Sequence, residues 1–246
     1  MTKLGWTAAG GLGVGFFALG ITMALGANEW KGFSLDNVLG QEACEPDKTG
    51  VTDVAGTERR WAWTGDDEVK IMVPGKVHYR GGEGDEVVVR GPADLVSRVR
   101  VRGSEIWVCK GTVRGSKLDV TLPGRRFHTV EVAGSSDMTL ENVTSPELLL
   151  RVAGSGSIRA QGKSDNVKIN IAGSGDAYLA ELAIKNLKMS IAGSGFAEAG
   201  PEESLDLRIA GSGDFKLLSQ PKHVSTKIAG SGKITQVAGG ATKKSD

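Results

Sequence analysis

Histidine and cysteine are scarce in this chain: it has three histidines and two cysteines in 246 residues. The cysteines, Cys44 and Cys109, are not arranged in the closely spaced pairs of a zinc cluster. His78, His128 and His223 are isolated from one another, and neither a G-x-S-x-G elbow nor an H-E-x-x-H helix occurs. An excess of one charge is also missing, since 30 Lys and Arg face 29 Asp and Glu. Such a chain builds no global field for nucleic acid, which is left out as a partner. No segment carries a convincing helical period, which argues against βαβ units and a leucine-rich horseshoe. No cofactor motif is present, and none is expected to bind.

Glycine, by contrast, is abundant: its 36 copies are about twice ordinary usage. They do not fall at every third position, which excludes collagen. The motif Ala-Gly-Ser-(Gly/Ser) begins at Ala133, Ala153, Ala172, Ala192, Ala210 and Ala229, at spacings of 20, 19, 20, 18 and 19. An alternating apolar stretch precedes each copy, such as Val167-x-Ile169-x-Ile171 or Leu187-x-Met189-x-Ile191, and a shorter one follows. Period-two alternation buries one face of a strand. A unit of about 19 residues with two strands and tight corners cannot bury its apolar side alone, so it stacks as a solenoid. Gly134, Gly154, Gly173, Gly193, Gly211 and Gly230 are the corner residues, because glycine reaches positive φ without a Cβ clash.

Upstream of the repeats, Leu4 to Asn28 carries no charged side chain, with Lys3 before it and Glu29 after it. About 20 apolar residues span a bilayer. The favoured reading of 1–28 is an uncleaved transmembrane helix. The rival is a signal sequence cut near Ala27, for which Leu25 fits poorly at the −3 position. Either way the remainder lies outside the cytosol, where Cys44 and Cys109 can form a disulfide. The sequence leaves that pair and two separate thiols both open. Gly11 and Gly15 form a weak helix-packing signal.

Residues 29–64 read as a linker and approach to a cap, 65–237 as the solenoid domain and 238–246 as a disordered tail. Strands between Val69 and Leu122 are less evenly spaced and are expected to form the first, atypical coils.

The stretch His78-Tyr79-Arg80-Gly81-Gly82-Glu83-Gly84-Asp85-Glu86-Val87-Val88-Val89-Arg90-Gly91 resembles the opening of the bacterial putative auto-transporter adhesin, head GIN domain family. The resemblance continues through Leu118-Asp119-Val120-Thr121-Leu122-Pro123 and the Gly-Ser-Gly-Asp copies at Asp176 and Asp214, over about residues 65–237. It implies a right-handed, single-stranded β-helix exported to the cell envelope and transfers no catalytic residue. The expected fold is therefore all-β, a right-handed β-helix behind one transmembrane helix. The expected location is the bacterial inner membrane, spanned once, with the β-helix in the periplasm or exported.

Chemistry is sought first in the column just after the motif: Asp137, Ser157, Asp176, Phe196, Asp214 and Lys233. Acids on alternate coils would stand about 9–10 Å apart, near the spacing of an inverting glycosidase pair. The column lies in a turn, however, where aspartate serves local hydrogen bonds, and that reading is favoured. His128 falls where other coils place an aliphatic residue, so a capping or partly buried role is expected. Arg98, Arg100, Arg102, Lys110, Arg114, Lys117, Arg125 and Arg126 form a basic stretch, with Arg98, Arg100, Arg102, Arg125 and Arg126 as an anionic-ligand face. Arg151, Lys168, Lys188, Arg208 and Lys227 add an outward column.

The favoured function is a non-enzymatic envelope protein that displays the β-helix as an interaction, adhesion or scaffold surface. Its partners would be the membrane, through the N-terminal helix, and envelope glycan, lipid or protein. The rivals are a polysaccharide-active β-helix enzyme and a scaffold that assembles as a homo-oligomer.

Overall fold

The computed structural model describes residues 49–82, 84–109 and 117–237. The segment read as a membrane helix, Cys44 and the tail lie outside the described residues. Among the described residues no helix is long and apolar enough to cross a membrane.

The fold is all-β, a solenoid of about five turns. Its body is four long strands, each nearly a full coil: β10 (Asp137–Gly154), β11 (Ser157–Gly173), β12 (Asp176–Gly193) and β13 (Phe196–Gly211). They pair in parallel, motif on motif, so Gly154, Gly173, Gly193 and Gly211 stack in register. Inside, Val152, Ile171, Ile191 and Ile209 form one column, each at most 1% exposed. Met138, Ile158, Ala177, Ala197 and Phe215 form a facing column, equally buried. Strands β14 (Asp214–Leu217), β15 (His223–Gly230) and β16 (Ile234–Gln236) complete the C-terminal end.

The corners explain the glycines. From the second copy on, each motif serine donates its backbone N–H to a glycine carbonyl one coil back: Ser174 to Gly154 at 2.9 Å, Ser194 to Gly173 at 2.9 Å and Ser212 to Gly193 at 2.8 Å. The hydrogen-bond ladder therefore runs round the corner without a break. All six expected corner glycines have positive φ. At Gly193 (φ +128°) a Cβ would lie 2.1 Å from Gly173 O. The first motif copy ends in Ser136 where later ones have glycine; its buried hydroxyl donates to Val73 O in the coil below.

The N-terminal part stacks out of sequence order. Strands β3 (Glu68–Met72) and β4 (Gly75–Arg80) lie directly below β9 (Thr129–Gly134) and the start of β10. Below them come β7 (Glu105–Val108) and β8 (Leu118–Thr121), although these follow in sequence. Residues 122–128 cross back over the intervening coil. Tyr79 Oη donates to Arg125 O at 2.7 Å, and Phe127 packs between Trp63 and Tyr79. Both sheet columns end in antiparallel strands: β1 (Val51–Thr52), β2 (Glu58–Ala62) and β5 (Glu86–Arg90) on one, β6 (Val99–Arg102) on the other. A one-turn helix, α1 (Ala93–Val96), buries Leu95 and Val96 completely. The stretch read as linker thus contributes β1 and β2 to the capped end.

This geometry separates two glycine substitutions. At Gly134 (φ +92°) nothing lies within 4 Å of an added Cβ, so Gly134→Ala carries backbone strain alone, about 1–3 kcal/mol. Gly193→Ala adds a collision with backbone that cannot move without opening the ladder. Urea unfolding is expected to show a clearly larger loss for Gly193→Ala; equal losses would contradict the corner geometry.

Candidate functional site

The turn column stacks as the spacing predicts, Asp137 beside Ser157 beside Asp176 and Phe196 beside Asp214. Each aspartate reaches up one coil. Asp137 Oδ1 accepts from Ser157 Oγ at 2.9 Å, Asp176 Oδ1 from Phe196 N at 3.0 Å and Asp214 Oδ1 from Lys233 N at 2.9 Å. The carboxylates act as clasps between coils, and each faces a serine, a phenylalanine or a lysine rather than a second acid. Among the described residues no three His, Cys, Asp or Glu side chains gather as a metal site.

The histidines are on separate elements. His78 Nε2 lies 3.6 Å from Asp119 Oδ2, and His128 Nδ1 lies 2.6 Å from Asp67 Oδ2, with both histidine side chains 48% exposed. His128 is half-exposed and held on Asp67, while the neighbouring Phe127 takes the buried place. His223 is on exposed β15.

The anticipated basic face divides. Arg98 donates to Asp94 O and Arg100 to Ser97 O and Val99 O, so both guanidinium groups tie down the end of α1. Arg102 stands 6.0 Å over the Trp107 ring. Arg125 and Arg126 are exposed on the crossover instead. Burial pushes the Tyr79 hydroxyl above its ordinary range, with Arg126 partly opposing it.

The outward lysines and arginines are two columns, not one. Lys168 pairs with Lys188 and then Asp206, whereas Arg151 pairs with Asn170, Ser190, Arg208 and Lys227. Below Arg151 the second column alternates in sign through Glu131, Lys70 and Glu105. Arg151 lies 3.5 Å from Glu131 and Lys70 lies 3.4 Å from Glu105. Burial holds the Glu131 carboxyl above the usual carboxylate range, opposed chiefly by Arg151 and Lys70.

Sequence reasoning missed two ladders. Tyr178 is stacked between the Arg159 guanidinium at 4.8 Å and the Phe196 ring at 5.9 Å, on a half-buried outer face. Asn186 Nδ2 donates to Asn166 Oδ1 at 3.0 Å, and Ser204 Oγ donates to Asn186 Oδ1 at 2.7 Å. The signal for both was position counted from the motif: Asn166 and Asn186 each stand six residues before their motif alanine.

The family described as putative auto-transporter adhesin, head GIN domain, matches residues 66–221, more than half of the chain. The chain belongs to this family. Among solved structures, this head GIN domain is similar to a putative adhesin from Bacteroides fragilis NCTC 9343, 18% identical, with TM-score 0.58 over 79% of this chain and 100% of that one. A putative adhesin from Parabacteroides distasonis ATCC 8503 is also 18% identical, with TM-score 0.46 over 74% and 96%. A putative lipid binding protein from the same strain is 17% identical, with TM-score 0.45 over 80% and 100%. At such identity, the first similarity is one of fold alone. No curated protein matches the chain.

Cys109 of the head GIN domain is buried and disulfide-bonded, and Cys44 lies outside the described residues. If the aspartates are clasps, Asp176→Ala should cost about 0.5–1.5 kcal/mol in urea unfolding, the value of one hydrogen bond. Asp176→Asn retains an acceptor and should lose less than half of that. Equal losses would contradict the clasp assignment.

Proposed function

We propose that this chain is a non-enzymatic protein of the bacterial envelope whose β-solenoid serves as an interaction surface. The observation that carries this reading is the fate of the carboxylates: the acids best placed for catalysis are spent holding one coil to the next. In this reading residues 1–28 span the inner membrane once, the solenoid is right-handed, and it stands in the periplasm or beyond. Cys109 pairs with Cys44, the chain's other cysteine, as suits an oxidising compartment. The partner is an anionic group of envelope glycan or lipid, met by Arg125 and Arg126 on the crossover and by Arg98, Arg100 and Arg102 at the capped end. Arg125 and Arg126 contribute most, since Arg98 and Arg100 already donate to local carbonyls.

The test uses the full chain against anionic vesicles and an array of anionic glycans. Binding is expected to one of the two, to fall steeply with salt, and to drop at least tenfold in Arg125→Glu/Arg126→Glu. Binding untouched by that change would overturn the basic surface. Release of fragments from cell-wall polymers by the wild type, lost in Asp176→Asn/Asp214→Asn, would replace the whole reading with the enzymatic one.

A further inference from the structure

The two ends of the solenoid are built differently. At the N-terminal end the outermost strands are short. Strand β1 has two residues, and β6 has four, including Arg100 and Arg102. Short and charged edges are how sheets avoid adding strands. At the other end, β15 runs for eight residues, all exposed. Among the described residues it pairs only with β13, and β16 pairs only with β14. Its inward column is uncovered as well. Leu205 and Ile209 are 2% and 1% exposed, yet Val224 and Ile228, stacked on them, are 55% and 42% exposed. Val237, just beyond β16, is 42% exposed.

The sequence of β15 complements itself. Turned antiparallel about Thr226, a second copy sets Val224 opposite the partner copy's Ile228 and Thr226 opposite Thr226, both on the inner side. On the outer side it sets Lys227 opposite Ser225, so no like charges face each other directly. Aliphatic and threonine pairs of this kind stabilise antiparallel ladders. Head-to-tail addition has no such match, because the receiving end is the capped one.

We propose that the C-terminal edge is a homophilic docking surface, through which two copies join tip to tip by antiparallel pairing of β15 about a two-fold axis at Thr226. The contact is isologous and closes on itself, giving a dimer rather than a fibre. It continues the core of each solenoid into the other and leaves both copies of β1 at the outer poles. It goes beyond the function proposed above and does not depend on it.

Light scattering of the full chain in mild detergent, corrected for the micelle, should give the protein mass of two chains. Val224→Lys/Ile228→Lys should halve that mass. Because both side chains are exposed, its thermal unfolding should stay within a few degrees of the wild type. Independently, Thr226→Cys should give a covalent dimer on mild oxidation, while Gln220→Cys, exposed at the same end but outside β15, should not. A single-chain mass for the wild type, a two-chain mass that survives both lysines, or equal cross-linking at the two cysteines would each overturn the proposal. Should the lysine variant fail to fold, the cysteine comparison decides.

Discussion

The carbonyl oxygen of each corner glycine occupies the place where the next coil's glycine would carry a Cβ. Gly173 O accepts the Ser194 N–H at 2.9 Å and lies 2.1 Å from a Cβ built on Gly193; Gly211 O stands in the same relation to Ser231 and Gly230. Only glycine lets the ladder turn here at this spacing. With the corners fixed, the strands on either side must stack in register, and the alternation of each strand then settles which residues point inward.

The outside follows from the same stacking. Identical register turns any polar residue into a member of a column, where neighbours about 4.8 Å apart must agree in charge and hydrogen bonding. The columns show several solutions. Aspartates clasp the next coil's backbone, Asn166, Asn186 and Ser204 form a hydrogen-bonded seam, and Glu105, Lys70, Glu131 and Arg151 alternate in sign. Among the described residues, much of the outer polar surface is occupied with cohesion between coils. It presents a rigid, repeated face, the physical basis for reading the protein as an interaction surface.

Much of this was legible in the sequence because the motif counts residues. The spacing of 18 to 20 located the corners, and alternation before each motif identified Ile171, Ile191 and Ile209 as core. The turn aspartates were legible for the same reason. Where the motif is missing, alternation still marked the strands between Val69 and Leu122, but not their stacking order. Nothing local between Val69 and Leu122 marks that β7 and β8 stack beneath β3 and β4, since parallel pairing leaves no trace in sequence order. By register His128 does fall opposite the inward Leu148, but it lies just before β9 begins at Thr129, and there Phe127 rather than His128 turns inward. The outward cations were merged because parity alone was used. Arg151 and Arg208 stand two residues before their motif alanine, whereas Lys168 and Lys188 stand four before, which assigns them to different columns. The short tethers of Arg98 and Arg100 depend on α1, a single turn behind Pro92 with too little length to show a helical period.

The central claim is that consecutive copies lie over one another in strict register, and cysteine pairs on the outer face test it most directly. Tyr178 pairs with Glu198, which pairs with Lys216, while Arg159 stands two coils from Glu198. Neighbouring coils bring Cα atoms to about 4.8 Å, within disulfide reach, whereas two coils put them near ~9.6 Å, beyond it. In the full chain, Tyr178→Cys/Glu198→Cys and Glu198→Cys/Lys216→Cys should form intramolecular disulfides under mild oxidation, and Arg159→Cys/Glu198→Cys should not. A bridge in the third pair with none in the first two would contradict the stacking on which the account rests.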